Sequence, residues 1–330
     1  MQLVRKRSEK FLLWLLLLSG MGAANAWSPQ GHGVIALAAV SDLSLEHRTV
    51  LHEQARILWQ HRANKKSQRY AGRSCNVADN TTAAIAGSVS SGITGADSAK
   101  SICFLAYWPD TVRKHSLDKL FRSVGGSVPA TLAPFASETT ANWHYYNSVY
   151  DRRHDKFLPE CERLNRGKLA AVLPLLTKAY TEAEANETKA VLLSFIVHLV
   201  ADAHQPLHAF AASIKHCEHD LGGNRVCLKS SQKKRGKCSV SLHKYWDAGG
   251  ELFSAKSGYV VGLRPEMLNV GFNVAGWLQE SKSLAPQVYS YNPESPLSNA
   301  YRNTVTAISD TRVTWAQHRL TVLLEELLSK

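Results

Sequence analysis

The stretch Phe195-Ile-Val-His-Leu-Val-Ala-Asp-Ala-His-Gln-Pro-Leu-His208 decides how this chain is read. It opens as an apolar helix. His198 and Asp202 stand four residues apart, so they share one face of that helix, one turn from each other. Pro206 ends or bends the helix, and His208 follows in a new direction. Val191, Leu192, Leu193, Ile196 and Leu199 surround these polar groups with apolar ones. Imidazoles and a carboxylate held in such surroundings are costly to bury unless something pairs with them. Zn²⁺ is the usual partner of a His/Asp set of this kind. A core helix with a few hydrogen-bonded histidines is the plainer alternative, and the matching ligands elsewhere in the chain weigh against it.

Outward from this stretch, the chain has 330 residues and a formal charge of +12. Residues 1–26 read as a secretory signal. Arg5, Lys6, Arg7 and Lys10 form a basic start, Phe11 to Leu18 an apolar run, and Ala24-Asn25-Ala26 a small-residue cleavage site. The run is short for a membrane span, so no membrane anchor is expected after processing. The expected product is exported, secreted or periplasmic, and begins at Trp27. Residues 27–330 suit one compact domain. The leader accounts for only a small part of the charge, and a basic balance favours anionic partners such as nucleic acid. Six cysteines, Cys75, Cys103, Cys161, Cys217, Cys227 and Cys238, lie beyond the leader. An even count in an exported chain suggests up to three disulfides, with the pairing left open by the sequence.

In chain order, Val34 to Leu43 reads as a helix, and Ser44 is placed to cap a second one running to about Gln60. His47, His52 and His61 belong to that region as ordinary surface or core histidines. Residues 72–100 are rich in Gly, Ser, Ala and Thr and read as loop. Ser101 to His115 reads as a helix interrupted near Trp108-Pro-Asp110. Gly125 to Pro134 reads as loop, and Asn142 to Asn147 is a dense run of aromatic and polar groups. Asn165 is a candidate cap for a helix from about Gly167 to Glu184, kinked at Pro174. The central helix spans about Glu187 to Ala203. Residues 211–240 read as a polar loop, and Ser241 opens a short helix with His243 and Asp247 four apart. Helices near Leu268 to Ser281 and from about Ser298 to Leu328 complete an all-α pattern in which period-2 strand signals are scarce. Asn80-Thr-Thr and Asn186-Glu-Thr fit the glycosylation sequon.

The candidate ligands are Trp27, His32, Asp110, His144, His198, Asp202, His208, His243 and Asp247. They are too many for one tetrahedral zinc. Their motifs are Trp-x-x-x-Gly-His at 27–32, Trp-Pro-Asp at 108–110, Trp-His-Tyr-x-Asn at 143–147, His-x-x-x-Asp-x-His-Gln-Pro-Leu-His at 198–208, Asp-x-Gly-Gly-Asn at 220–224 and Leu-His-x-x-Trp-Asp at 242–247. In this order they resemble the single-strand-specific, zinc-dependent nucleases of fungi, plants and bacteria, the mung-bean-nuclease type. That group shares a superfamily with zinc phospholipase C. The resemblance covers nearly all of 27–330.

The resemblance implies a multi-helix domain with three Zn²⁺ ions in a cleft. Asp110, His144, His198 and Asp202 are the implied ligands of one. Trp27, through its free amino group and carbonyl oxygen, binds a second with His32 and the bridging Asp202. His208, His243 and Asp247 hold the third. Asp110 and Arg113 take catalytic positions, with Arg113 also a phosphate contact. Tyr145 and Asn147 take substrate-binding positions, and His204 has no metal role. Ser28 stands where a glycine is common. The implied reaction is hydrolysis of single-stranded DNA and RNA by metal-bound hydroxide to 5′-phosphorylated products, with activity on 3′-nucleotides. A zinc phospholipase C and a non-catalytic zinc or nucleic-acid binder are the rival readings. The five-residue step from Trp27 to His32, the His-Gln-Pro-Leu-His form and the basic charge favour the nuclease.

Overall fold

The computed structural model describes residues 27–61, 95–228, 233–234, 237–254, 259, 261, 271–293 and 295–330. The leader, the cleavage site and most of the 72–100 stretch lie outside these residues. The helices are α1 (Pro29–Ser41), α2 (Leu45–Gln60), α3 (Gly95–Val112), α4 (Leu117–Arg122), α5 (Leu169–Glu182), α6 (Asn186–His204), α7 (Pro206–Ala209), α8 (Leu242–Asp247), α9 (Val274–Ser283), α10 (Ala285–Val288) and α11 (Asn299–Leu328). Short 3-10 turns at Ala130–Phe135, Thr140–Asn142 and Pro159–Leu164 join them. The fold is mostly helical, as the sequence predicts.

Polar residues start the helices where the backbone N–H groups need partners. Ser28 Oγ accepts from Gly31 N at 3.2 Å, with Pro29 in the first turn. Ser44 caps α2, Ser241 caps α8, and Ser298 caps α11 in the same way. Asn165 does not cap α5, which begins at Leu169. Its Oδ1 instead accepts from Gly167 N at 2.9 Å within the preceding turn.

Helix α6 is apolar all round, and a helix of that kind has to be enclosed. It packs against α2, α3, α5, α9 and α11, and every residue from Ala190 to His204 is buried. Phe195 meets Trp143 edge-on at 5.4 Å and Trp108 at 6.1 Å. Those tryptophans precede His144 and Asp110 closely in sequence, so one buried ring seats two ligand-bearing segments.

Two further expectations need correction. Helix α3 is not interrupted at Trp108-Pro-Asp110; it runs from Gly95 to Val112 with Pro109 inside it, so the last residues of the expected loop are also helical. Pro109 has no N–H to give Leu105. Ser194 Oγ of α6 donates to that Leu105 carbonyl instead, at 2.6 Å. A neighbouring helix thus satisfies the acceptor, and the break becomes a contact point.

The second correction concerns residues 211–240. Strand β1 (Ser148–Asp151), β2 (Lys156–Phe157), β3 (Phe210–Lys215) and β4 (Glu218–His219) form one small sheet in the order β2-β1-β3-β4. β1 and β3 are parallel, with Ser148 opposite Phe210 and Tyr150 opposite Ala212. β5 (Lys233–Lys234) pairs with β6 (Lys237–Cys238). These strands are too short for an alternation to show in the sequence. The Cys161–Cys217 disulfide, with an S–S length of 2.02 Å, pins the sheet to the turn at Pro159–Leu164. Cys227 pairs with Cys238, and Cys103 is also disulfide-bonded. Among the described residues no helix is long and apolar enough to cross a membrane.

Candidate metal centre

Helix α6 brings His198 and Asp202 to one face, as their spacing requires. Pro206 then turns the chain. Gln205 separates α6 from α7, and α7 presents His208. Around this axis the fold gathers three buried groups: His32, His198 and Asp202; Asp110, His144 and His198; and His208, His243 and Asp247. In each group one donor atom per residue lies within 4.8 Å of the others, close enough to face a single ion.

Asp202 is the hub. Its Oδ1 is 3.5 Å from His32 Nε2, and its Oδ2 is 3.1 Å from His144 Nδ1 and 3.3 Å from His198 Nε2. Asp110 Oδ1 lies 3.6 Å from His144 Nδ1 and 3.9 Å from His198 Nε2. The His32 and His198 rings stack, with centroids 4.0 Å apart and planes 8° from parallel. In the third group His208 Nε2 is 3.2 Å from His243 Nε2, which is 3.5 Å from Asp247 Oδ1.

Backbone carbonyls set the ring tautomers. A Nδ1–H of His198 donates to Ala106 O at 2.8 Å, that of His208 to His144 O at 2.5 Å, and that of His243 to Gly222 O at 2.6 Å. Each leaves its Nε2 lone pair facing the cluster, as a ligand needs.

The start of the described chain is wedged into the same place. The Trp27 indole N–H donates to Ala201 O at 2.9 Å, and Ser28 N–H donates to Asp247 O at 2.7 Å. A Cβ at Gly31 would stand 2.9 Å from Trp27 Cβ and 3.0 Å from Phe253, so the glycine before His32 permits a close approach. Arg113 Nη1 lies 3.5 Å from Asp110 Oδ1, and its side chain is 12% exposed. Tyr145 is half-buried, and its hydroxyl donates to Asn142 Oδ1 at 2.7 Å rather than to the ligand groups. Asn147 occupies the left-handed region, with φ of 56°, where the chain turns into β1. His204 points away from the cluster: its Nδ1–H donates to Val200 O at 2.7 Å, and Arg319 donates to its Nε2 at 2.8 Å. His216 lies beside Cys161 and Cys217, but both sulfurs are committed to their disulfide.

Charge and burial favour a cation here. Burial, reinforced by the neighbouring His198, holds the His32 pKa well below the usual histidine range. Burial alone would raise the Asp202 pKa, but His198 and the hydrogen bonds of His144 and His198 keep it well below the usual carboxylate range. Burial pushes Asp247 well above that range, with Gln205 only partly offsetting it. Both ring nitrogens of His32, Oδ2 of Asp110, Oδ1 of Asp202 and Nε2 of His144 are buried without a hydrogen-bond partner among the described residues. Each such atom costs about 1–3 kcal/mol. Divalent ions of the zinc type would satisfy most of them, so the donor set fits such ions.

Two supporting groups stand inside the quoted motifs without a role assigned to them there. Gln205 is buried; its Nε2 donates to Asp247 Oδ1 at 2.6 Å and its Oε1 accepts from Leu207 N–H at 2.5 Å. Replacing Gln205 by Leu is expected to weaken metal affinity of the third group about 10–100-fold, read by titration with a competing chelator; unchanged affinity would count against this orienting role. Leu221, Gly222 and Gly223 all have positive φ, and a Cβ on Gly222 would stand 2.4 Å from Leu207 O. The paired glycines are the sequence signal for this turn, which carries the carbonyl that holds His243.

Ligand groups of this kind, drawn from segments spread along the chain onto one buried helix, form a site that could hold metal ions. The chain belongs to the S1/P1 nuclease family, whose model matches residues 27–329. It is therefore a nuclease hydrolase acting on nucleic acids. A search of curated proteins finds no match.

Proposed function

We propose that the chain is an exported, zinc-dependent endonuclease that hydrolyses single-stranded DNA and RNA to 5′-phosphorylated products and also acts on 3′-nucleotides. The observation that carries this reading is the convergence of three buried ligand groups with orphaned donor atoms on α6. Asp110, His144, His198 and Asp202 would hold one Zn²⁺; Trp27, His32 and Asp202 a second; His208, His243 and Asp247 the third. Removal of residues 1–26 would give Trp27 the free amino group this assignment needs. When bound, the ions supply charge neutralisation on the phosphate and lower the pKa of an attacking water.

The chain's own residues do the rest. Arg113, steadied by Asp110, donates a charged N–H to a phosphate oxygen. Asp202 fixes the spacing of two ligand groups through its two oxygens. The Tyr145 ring, anchored through its hydroxyl, offers a face for an unpaired base, and Asn147 beside it offers an amide. A duplex keeps its bases stacked away from such a surface.

The test uses protein beginning at Trp27, single-stranded DNA and RNA, and a phosphatidylcholine control. Release of acid-soluble nucleotides, lost with a chelator and restored by zinc, is expected. Lipid turnover without nucleotide release would overturn the proposal in favour of a phospholipase. Nucleotide release unaffected by the chelator would overturn its zinc dependence.

A further inference from the structure

Strands β1 and β3 leave the metal centre side by side. β1 follows His144 and Asn147, and β3 follows His208 directly. Both end at a groove of about 650 Å³ lined by residues 151–154 and 213–216. Ser213 at its lip stands five positions after His208, at most about 17 Å of chain. The groove is therefore separate from the ligand groups but within reach of a strand lying on them.

Its walls are basic. Arg152, Arg153 and His154 come from the β1–β2 turn, and Lys215 and His216 from the end of β3. The one acid in the lining, Asp151, is already hydrogen-bonded to His154 Nδ1 at 2.7 Å. Arg152 is locked in place: it donates to Tyr289 O at 2.9 Å and stacks over the Tyr289 and Tyr291 rings at 5.2 and 5.1 Å. Arg153 and Lys215 are exposed, and among the described residues neither side chain has an ion-pair partner. Ile214 lines the same groove with 56% of its surface exposed. Fixed and free cations in one groove with an exposed apolar side chain suit a polyanion whose repeating charges alternate with apolar rings.

We propose that this groove binds the phosphodiester backbone of a single-stranded nucleic acid, several nucleotides away from the bond being cleaved. The inference rests on the nuclease reading above and deepens it, since it makes long strands better substrates than short ones. Phosphate contacts of this kind carry no base preference and are strongly salt-dependent.

The experiment compares the zinc-loaded wild-type chain with the double variant Arg153→Gln, Lys215→Gln, leaving the packed Arg152 alone. Substrates are a long fluorescent oligo-dT and a thymidine dinucleotide. At low salt the KM for the long strand is expected to rise about tenfold while kcat and the dinucleotide KM stay unchanged. The slope of log affinity against log salt for the long strand should flatten by about 1.4, the value for two lost contacts to a single strand. Equal kinetics for both proteins on both substrates would overturn the groove while leaving the nuclease reading intact. An equal loss on both substrates would also overturn it, because it would place the effect in the fold or the metal centre. A wild-type chain that cleaves neither substrate would overturn the nuclease reading itself.

Discussion

Replacing Asp202 by Asn is expected to lower nucleic-acid hydrolysis by more than about 1000-fold and to reduce bound zinc. The fold is expected to survive, because the amide fills the same volume. The size of the effect follows from position. Asp202 lies within 3.5 Å of His32, His144 and His198 and 4.0 Å from His208. An amide keeps one acceptor oxygen but loses the negative charge and replaces the other oxygen with an N–H₂ donor. It would turn that donor toward imidazoles, among them His198, whose backbone lock leaves its Nε2 lone pair facing inward. Losing several kcal/mol of metal-borne charge stabilisation corresponds to three or more powers of ten in rate. Metal analysis, circular dichroism and turnover on the same preparation check the prediction. Full zinc content with activity reduced less than about tenfold would sink the hub role.

The second large effect lies beneath the site. Pro206 stops α6, and beyond the bond from Gln205 N–H to Asp202 O the last carbonyls need other donors. Side chains of α9 and α11 supply them. Arg312 Nε donates to His204 O at 3.2 Å and Ser281 Oγ to Ala203 O at 2.9 Å, while Arg312 Nη2 ties the network to Trp277 O of α9 at 3.1 Å. Glu280 neutralises Arg312 at 2.7 Å and Arg319 at 2.6 Å. Arg312→Met leaves Glu280 paired with Arg319 but strips the buried His204 and Trp277 carbonyls of their donor, which costs about 1–3 kcal/mol for each. Urea unfolding at constant zinc measures it, and a loss below about 1 kcal/mol would show that water replaces the guanidinium. The pH dependence has a definite sign. Burial would raise the Glu280 pKa, but Arg319 and Arg312 hold it below the usual 4.5. Its contribution is therefore complete above 4.5 and is lost as pH falls below that value. Removing Arg312 makes this acid limb shallower.

These two sites differ in how far the sequence shows them. His198 and Asp202 announce themselves, since spacing of four on an apolar helix leaves few other uses for an acid and an imidazole. His243 and Asp247 repeat the pattern, and the helix starts at Ser44 and Ser298 are plain for the same local reason. Arg312 and Arg319 look like surface charges on a long helix, because nothing local says that Glu280, far off in the sequence, will meet them. Pro109 misleads for a related reason. The rule that proline breaks a helix assumes that the freed carbonyl goes unsatisfied, and here Ser194 reaches it from another helix. The small sheet escapes notice because its strands are held by neighbours and a disulfide, with little pattern of their own. Tyr145 and Asn147 sit beside the ligands in sequence, yet their roles depend on a bound strand.

The three imidazole locks have a consequence for how this centre tolerates change. Their acceptors are main-chain oxygens at positions 106, 144 and 222, which every amino acid possesses. A mutational scan that swaps side chains would therefore find no partner residue behind these rings and would score the locks as absent. They fail only when the peptide path itself shifts. The pressure on them surfaces as intolerance of any bulk at Gly222, a residue with no functional group to lose.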